Sequence, residues 1–193
     1  MNIVVSNIKG GVGKTTTAVY LAGVAAHKAR TPVYLVDSDP QGSTAEWFDA
    51  YPIEGVELVE GPSVRTVTKA MEQSDGIVIV DTAAGDGTIV RAALSRADAV
   101  IIPTRAGGVE PNRVVGTLEM TPRDVPAGVV ICSARLGTND LQSTVEWWGE
   151  LKVPVWGIIP ERVAIAAGPS GRLSAEGIDL YGKVLKKATT KTR

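Results

Sequence analysis

One cysteine, Cys132, and one histidine, His27, stand in a chain of 193 residues. A lone thiol permits no internal disulfide and no multi-thiolate metal site within one chain, which fits a reducing compartment. A global basic field is also missing. Twenty basic against 21 acidic residues leave a formal charge of -1, so any attraction to nucleic acid must come from a local patch. No apolar run approaches the roughly 18 residues that span a bilayer. The opening MNIVVSNIKGG has neither a basic n-region nor a long apolar h-region, so export and insertion are not expected and a cytoplasmic location is. Internal repeats, low-complexity tracts and linkers are absent too, and the length suits a single domain over residues 1–193.

What the chain does have is a recurring pattern. Short β-branched runs at 2–6, 32–37, 76–81, 98–103, 127–133 and 153–159 alternate with helix-compatible stretches at about 14–29, 63–74, 87–96, 110–119, 139–150 and 174–188. Runs that are apolar on both faces suit a sheet covered by helices. The expected fold is therefore α/β, a doubly wound, mostly parallel sheet with helices on both faces. In such sheets ligands sit beyond the carboxyl ends of the strands, which points to the segments after Ser6, Val36, Val80, Ile102, Ser133 and Ile159.

The first of those segments reads NIKGGVGKTTT, Asn7 to Thr17. Gly10, Gly11, Val12 and Gly13 lie between a strand and a helix, where backbone N–H groups and the helix N-terminus can surround an anion. Lys14, Thr15 and Thr16 follow directly; Lys14 matches a lysine reaching β- and γ-phosphate, and Thr15 a hydroxyl for Mg²⁺. A glycine turn into an ordinary helix would explain the glycines but not the Lys-Thr pair. Lys9 lies five residues before Lys14, and no glycine stands at the start of the usual GxxxxGK spacing; by itself Lys9 could be a solvated surface lysine. Asp37 and Asp39, in VYLVDSDPQGS, fall two apart at a strand end and suggest Mg²⁺ and water, or else a helix cap or turn. Asp81 ends the apolar run GIVIVD in the Walker B arrangement, where a carboxylate holds the metal. A strand-end aspartate capping the next turn is the plainer alternative.

KGGVGKTT, DSDPQ and GIVIVD in this order resemble the ParA/MinD family of P-loop ATPases with a deviant Walker A motif, and most nearly its small plasmid-type members. The resemblance implies ATP, ADP and Mg²⁺ as ligands and a homodimer when ATP is bound, with Lys9 reaching the nucleotide of the partner subunit. It further implies Asp37 in the outer coordination sphere of the metal and Asp39 positioning the attacking water. The segment IPERVAIAAGPSG resembles the family's adenine-flanking stretch, which makes Pro160 and Arg162, together with Arg135, candidates for the base pocket; Arg135 reads equally well as a surface residue. After Asp81 the sequence departs from the family, with Ala83-Ala84-Gly85 where prolines are common, so a more mobile second switch is expected.

Family members divide by cargo. Electron transfer to a reductase needs cluster-ligating cysteines, which Cys132 alone does not supply. The tail YGKVLKKATTKTR lacks a large aromatic to insert into a membrane. From Arg162 onward, however, seven basic residues meet only two acidic ones, leaving a net charge of -6 before it. Arg172, Lys183, Lys186, Lys187, Lys191 and Arg193 are the candidate contacts to non-specific DNA; a solvated helix face is the competing reading. The expectation is thus a nucleoid-associated DNA-partition ATPase whose dimer is stimulated by a ParB-like, centromere-binding partner. An ATPase positioning a microcompartment or chemosensory cluster, or a MinD-like division-site protein, is the alternative; a metabolic amidoligase or kinase lacks a visible second pocket. The stretch 104–113 is expected at the dimer or partner interface, His27 at the surface, and one of Trp147 and Trp148 partly exposed.

Overall fold

Strands rich in Val and Ile can be buried on both sides only if helices cover each face of their sheet. The computed structural model describes residues 1–28, 31–85, 87–107, 110–166, 168 and 171–190. Its strands are β1 (Asn2–Val5), β2 (Val33–Asp37), β3 (Val56–Glu60), β4 (Ile77–Asp81), β5 (Ala99–Thr104), β6 (Ala127–Ala134) and β7 (Val155–Pro160). They form one sheet in the order β3-β2-β4-β1-β5-β6-β7, and every pairing is parallel. The helices are α1 (Lys14–Lys28), α2 (Ser43–Ala50), α3 (Val64–Gln73), α4 (Thr88–Leu94), α5 (Glu110–Met120), α6 (Asn139–Glu150), α7 (Val163–Ala166) and α8 (Ala175–Thr189).

Alternation along each strand sorts the core into two layers. Ile3, Val5, Leu35, Ile79 and Ile101 face α1 and α8, with Trp47 of α2 in the same layer. Val4, Val36, Val80, Val100 and Ile102 face the opposite layer, which takes Val67 of α3, Leu94 of α4, Val114 of α5 and Trp148 of α6. Three helices begin at a hydroxyl that accepts a backbone N–H: Ser63 for α3, Thr138 for α6 and Ser174 for α8.

Three elements were not among the expected ones. β3 carries Glu57 and Glu60 on an edge and is flanked on one side only, so its sequence VELVE lacks the continuous apolar run of the inner strands. α2 and α7 are short, at 8 and 4 residues, and follow turns rather than a long amphipathic repeat. The tryptophan pair of α6 divides as expected, Trp148 fully buried and Trp147 half-buried. His27 is exposed, and no helix among the described residues is long and apolar enough to cross a membrane.

α8 lies against both α1 and β7, with Tyr181, Val184, Leu185 and Ala188 turned inward. Tyr181 stacks on Tyr20 of α1 at a centroid distance of 5.0 Å. Gly177 makes this approach possible, because a Cβ there would run into the Tyr20 ring. Gly177→Ala is therefore expected to cost about 1–3 kcal/mol of stability, as overpacking does, measured by urea unfolding.

Candidate nucleotide-binding site

Strand parity brings the site together. Asp37 continues the alternation of Leu35, and Asp81 that of Ile79, so both carboxylates emerge on the face covered by α1. In the sheet Asp81 is in register with Asp37 on one side and with Val5 on the other, immediately before the glycine loop. Asn7 anchors that loop: its amide donates to the Pro103 carbonyl at 2.8 Å, and its Oδ1 accepts from the Lys9 N–H at 2.9 Å. Gly11 and Gly13 adopt φ of 71° and 98°, the left-handed region that favours glycine. Val12, between them, turns its side chain into the core. α1 then starts at Lys14, presenting the unsatisfied N–H groups of its first turn to the loop.

Lys14 is 7% exposed, and its Nζ donates to the Lys9 carbonyl at 3.1 Å. Burial lowers its pKa, opposed by the nearby charges of Asp81 and Asp39. Asp81 is 1% exposed; its Oδ2 accepts 2.7 Å hydrogen bonds from the hydroxyls of both Thr15 and Thr44. Its Oδ1 is buried with no partner. Desolvation, against the two hydroxyl bonds, pushes this carboxyl up to about 6. Asp37, 3% exposed, accepts from the Ala45 N–H at 2.9 Å and from the Asp39 N–H at 3.1 Å, so it holds the start of α2. Its pKa is raised by burial, with those backbone bonds working the other way. Asp39, half-buried, accepts from the Gln41 N–H at 3.0 Å.

A cavity of about 560 Å³ opens over these groups, within the range of small-molecule sites. Gly10, Gly11, Gly13, Lys14, Thr15 and Thr16 form its floor, and Asp39, Gln41 and Ser43 one wall. The other wall holds Ser133, Ile159, Pro160, Arg162 and Ile165. Of the residues singled out in the sequence, Arg135 does not line the cavity; it is 78% exposed and pairs with Glu161 at 2.9 Å. Lys9 is exposed at the loop's outer edge. Arg172, Lys183, Lys186 and Lys187 are exposed at or before α8, away from the cavity lining, while Lys191 and Arg193 lie outside the described residues. Sequence reasoning missed Thr44, Trp47, Arg105 and Tyr181. Only Thr44 left a trace, a hydroxyl just after the Gly42 turn that begins a helix.

The unpartnered Oδ1 of Asp81 is the observation that a divalent cation answers. No cluster of three or more His, Cys, Asp or Glu able to hold a metal occurs among the described residues. Such an ion would instead be held by a hydroxyl, a carboxylate, water and phosphate oxygens, the ligand set that suits Mg²⁺.

A glycine loop between a central parallel strand and its helix, with a buried carboxylate on the adjacent strand, defines a P-loop nucleotide-binding fold. The family model described as the CobQ/CobB/MinD/ParA nucleotide binding domain matches residues 3–174, and the chain belongs to that family. It is 33% identical to a protein ParA of Rhizobium radiobacter over 65% of this chain and 58% of that one. It is 41% identical to a maintenance of carboxysome distribution protein A of Gloeobacter kilaueensis over 53% of this chain and 48% of that one. The matches thus span about half the length of these curated relatives. Among solved structures it resembles a Borrelia burgdorferi plasmid partition protein bound to AMPPNP, with a TM-score of 0.76, 18% identity, and coverage of 95% of this chain and 96% of that one.

An ordinary carboxyl titrates near pH 4, so between about 4 and 6 the folded, nucleotide-free protein holds a proton at Asp81 that the unfolded chain has lost. Stability from this group therefore rises as pH falls through about 6 and is lost above it. Asp81→Asn should stabilise the nucleotide-free protein by roughly 2 kcal/mol at pH 7, with the gain vanishing near pH 4, as read from urea unfolding at both pH values.

Proposed function

We propose that the protein is an ATP-dependent partition ATPase: Mg-ATP drives a sandwich dimer, the dimer binds DNA without sequence preference, and a cargo-bound partner stimulates hydrolysis and release. The observation that carries the nucleotide part is the Lys14-Thr15 pair at the mouth of α1, set against the buried Asp81 with its unpartnered Oδ1. Thr15 and Asp81 would hold Mg²⁺, which supplies charge neutralisation on the β- and γ-phosphate oxygens. Lys14 is already turned into the loop, so a triphosphate replaces its bond to the Lys9 carbonyl with charge-assisted ones. Asp39 orients a water in line with the terminal phosphate; positioning rather than strong basicity is what this transfer requires. Lys9 supplies a cation to the nucleotide of the partner subunit, which makes dimer formation and charge stabilisation depend on each other.

Binding to DNA is assigned to the outward row Lys183, Lys186 and Lys187 of α8, with Arg172 beside its start. These charges are exposed, and the dimer doubles them, which strengthens an electrostatic contact steeply. A ParB-like, centromere-binding stimulator fits the plasmid reading, and nucleoid association follows from it. The likeness to a carboxysome distribution protein favours a second reading, in which the same ATPase places a protein cargo along the same DNA track.

Molar mass in solution tests the switch. With a slowly hydrolysed ATP analogue the wild type is expected to double in mass, with ADP to stay single, and Lys9→Ala to lose the dimer or its ATPase activity. A monomer that hydrolyses ATP normally without Lys9 would sink this reading in favour of metabolic phosphoryl transfer. For the basic helix, replacing Lys183, Lys186 and Lys187 together by Ala removes six charges from the dimer and should reduce the salt dependence of DNA binding by roughly 5 in log-log slope. ADP affinity should be kept; an unchanged slope would remove α8 from the DNA interface.

A further inference from the structure

We propose that Arg105 binds the α-phosphate of the nucleotide. This rests on the nucleotide reading above and adds a contact that none of the loop motifs contains.

The order of the strands divides the cavity. On the β4 and β2 side of β1 stand hydroxyls and carboxylates, Thr15, Thr44, Asp81 and Asp39, the chemistry that suits a cation and terminal phosphates. On the β6 and β7 side the wall is more apolar, with Ile159, Pro160 and Ile165, and suits a base. A nucleotide laid between these walls carries its α-phosphate over the boundary of β1 and β5, next to the start of α1. Arg105 is the first residue past β5, and its side chain lines the cavity.

Two further observations direct the guanidinium. It contributes electrostatically at the Cys132 thiol, and Cys132 lies under Gly13, its Sγ 3.3 Å from where a Cβ would stand. Arg105, Cys132 and Gly13 line the same cavity together. The other lining cations already have partners: Lys14 faces Asp81 and Asp39, and Arg162 pairs with Glu176 at 3.3 Å. Arg105 makes no ion pair or side-chain hydrogen bond with a described residue in the structure. Its backbone is nonetheless fixed, with Thr104 fully buried and the Gly107 N–H bonded to Thr144 Oγ1 of α6 at 3.0 Å. A planar cation on a fixed base is suited to bidentate recognition of a phosphate.

The test uses the full chain, with Arg105→Ala, Arg105→Lys and, as a control for loss of charge elsewhere, Arg123→Ala at an exposed position after α5. Affinities for ADP and a slowly hydrolysed ATP analogue are measured by calorimetry, and that for AMP by competition. An α-phosphate contact predicts that Arg105→Ala weakens all three by the same factor, roughly tenfold, with part recovered in Arg105→Lys and none lost in Arg123→Ala. Loss confined to the ATP analogue would move Arg105 to the terminal phosphate or the partner's nucleotide and overturn the proposal. Unchanged affinities for all three would overturn it as well. A wild-type protein that binds none of them would remove the nucleotide reading beneath it, an outcome visible before any variant is made.

Discussion

Asp81 is buried because the fold leaves it no alternative, and the site is organised around what that burial requires. An isolated carboxylate in a protein interior costs several kcal/mol unless hydrogen bonds or counter-charges offset it. Thr15 and Thr44 answer one oxygen, and the Lys14 charge favours the ionised carboxylate, yet Oδ1 remains without a partner. The nucleotide-free protein therefore holds its most strained electrostatic element where a cation would relieve it. The same reasoning explains the two hydroxyl bonds on Oδ2. Thr15 begins α1 and Thr44 lies in the first turn of α2, so one carboxylate oxygen ties together the starts of both helices that border the cavity.

From this carboxylate a continuous set of contacts leads to the basic helix. Asp37, beside Asp81 in the sheet, holds the first turn of α2 through the Ala45 N–H. Trp47 of α2 donates its Nε1–H to the Gly171 carbonyl at 3.2 Å, and Ser174, three residues on, caps α8. Tyr20 of α1 reaches the same strap, accepting from the Ser174 N–H at 3.1 Å and stacking on Tyr181. A displacement at the Asp37–Asp39 turn has a direct mechanical path to α8 through these contacts. In the opposite layer α3 to α6 cover the sheet mainly with apolar packing.

The fold class was legible because the five inner strands are buried on both faces and carry that fact in their composition, and the edge strand β7 keeps an apolar run as well. β3 was not, since an edge strand needs only one neighbour and VELVE spends two of five positions on glutamate. Lys14, Thr15 and Asp81 could be found because their chemistry depends on local order along the chain. Thr44, Trp47 and Arg105 could not, because they come from α2 and from the end of β5, and only the sheet order brings these elements beside the glycine loop. Asp37 is the instructive intermediate. Its two readings, metal site or helix start, looked exclusive in the sequence, whereas the structure gives both its oxygens to backbone N–H groups while keeping it beside Asp81. A carboxylate bonded in this way can still act on a metal through water, and its bonds to the Asp39 turn transmit the result.

The charge distribution bears on how such a switch could let go of a polyanion. A near-neutral chain that gathers positive charge into the segment from Arg162 onward is not attracted to DNA as a whole, so contact depends on how many copies of that segment are presented together. Lys183 is paired with Asp179 at 3.0 Å, but both side chains are about 70% exposed, and a pair of that kind contributes only about 0–1 kcal/mol. Lys187 donates to the Val155 carbonyl at the sheet edge, again in the open. These lysines can exchange their present partners for phosphates at little cost and return to them as readily. Under the proposed function each monomer would hold DNA weakly, and the two-fold increase in contacts on dimerisation would decide between bound and free. On that reading, hydrolysis would not need to alter α8 at all to release DNA; separating the two copies would be enough.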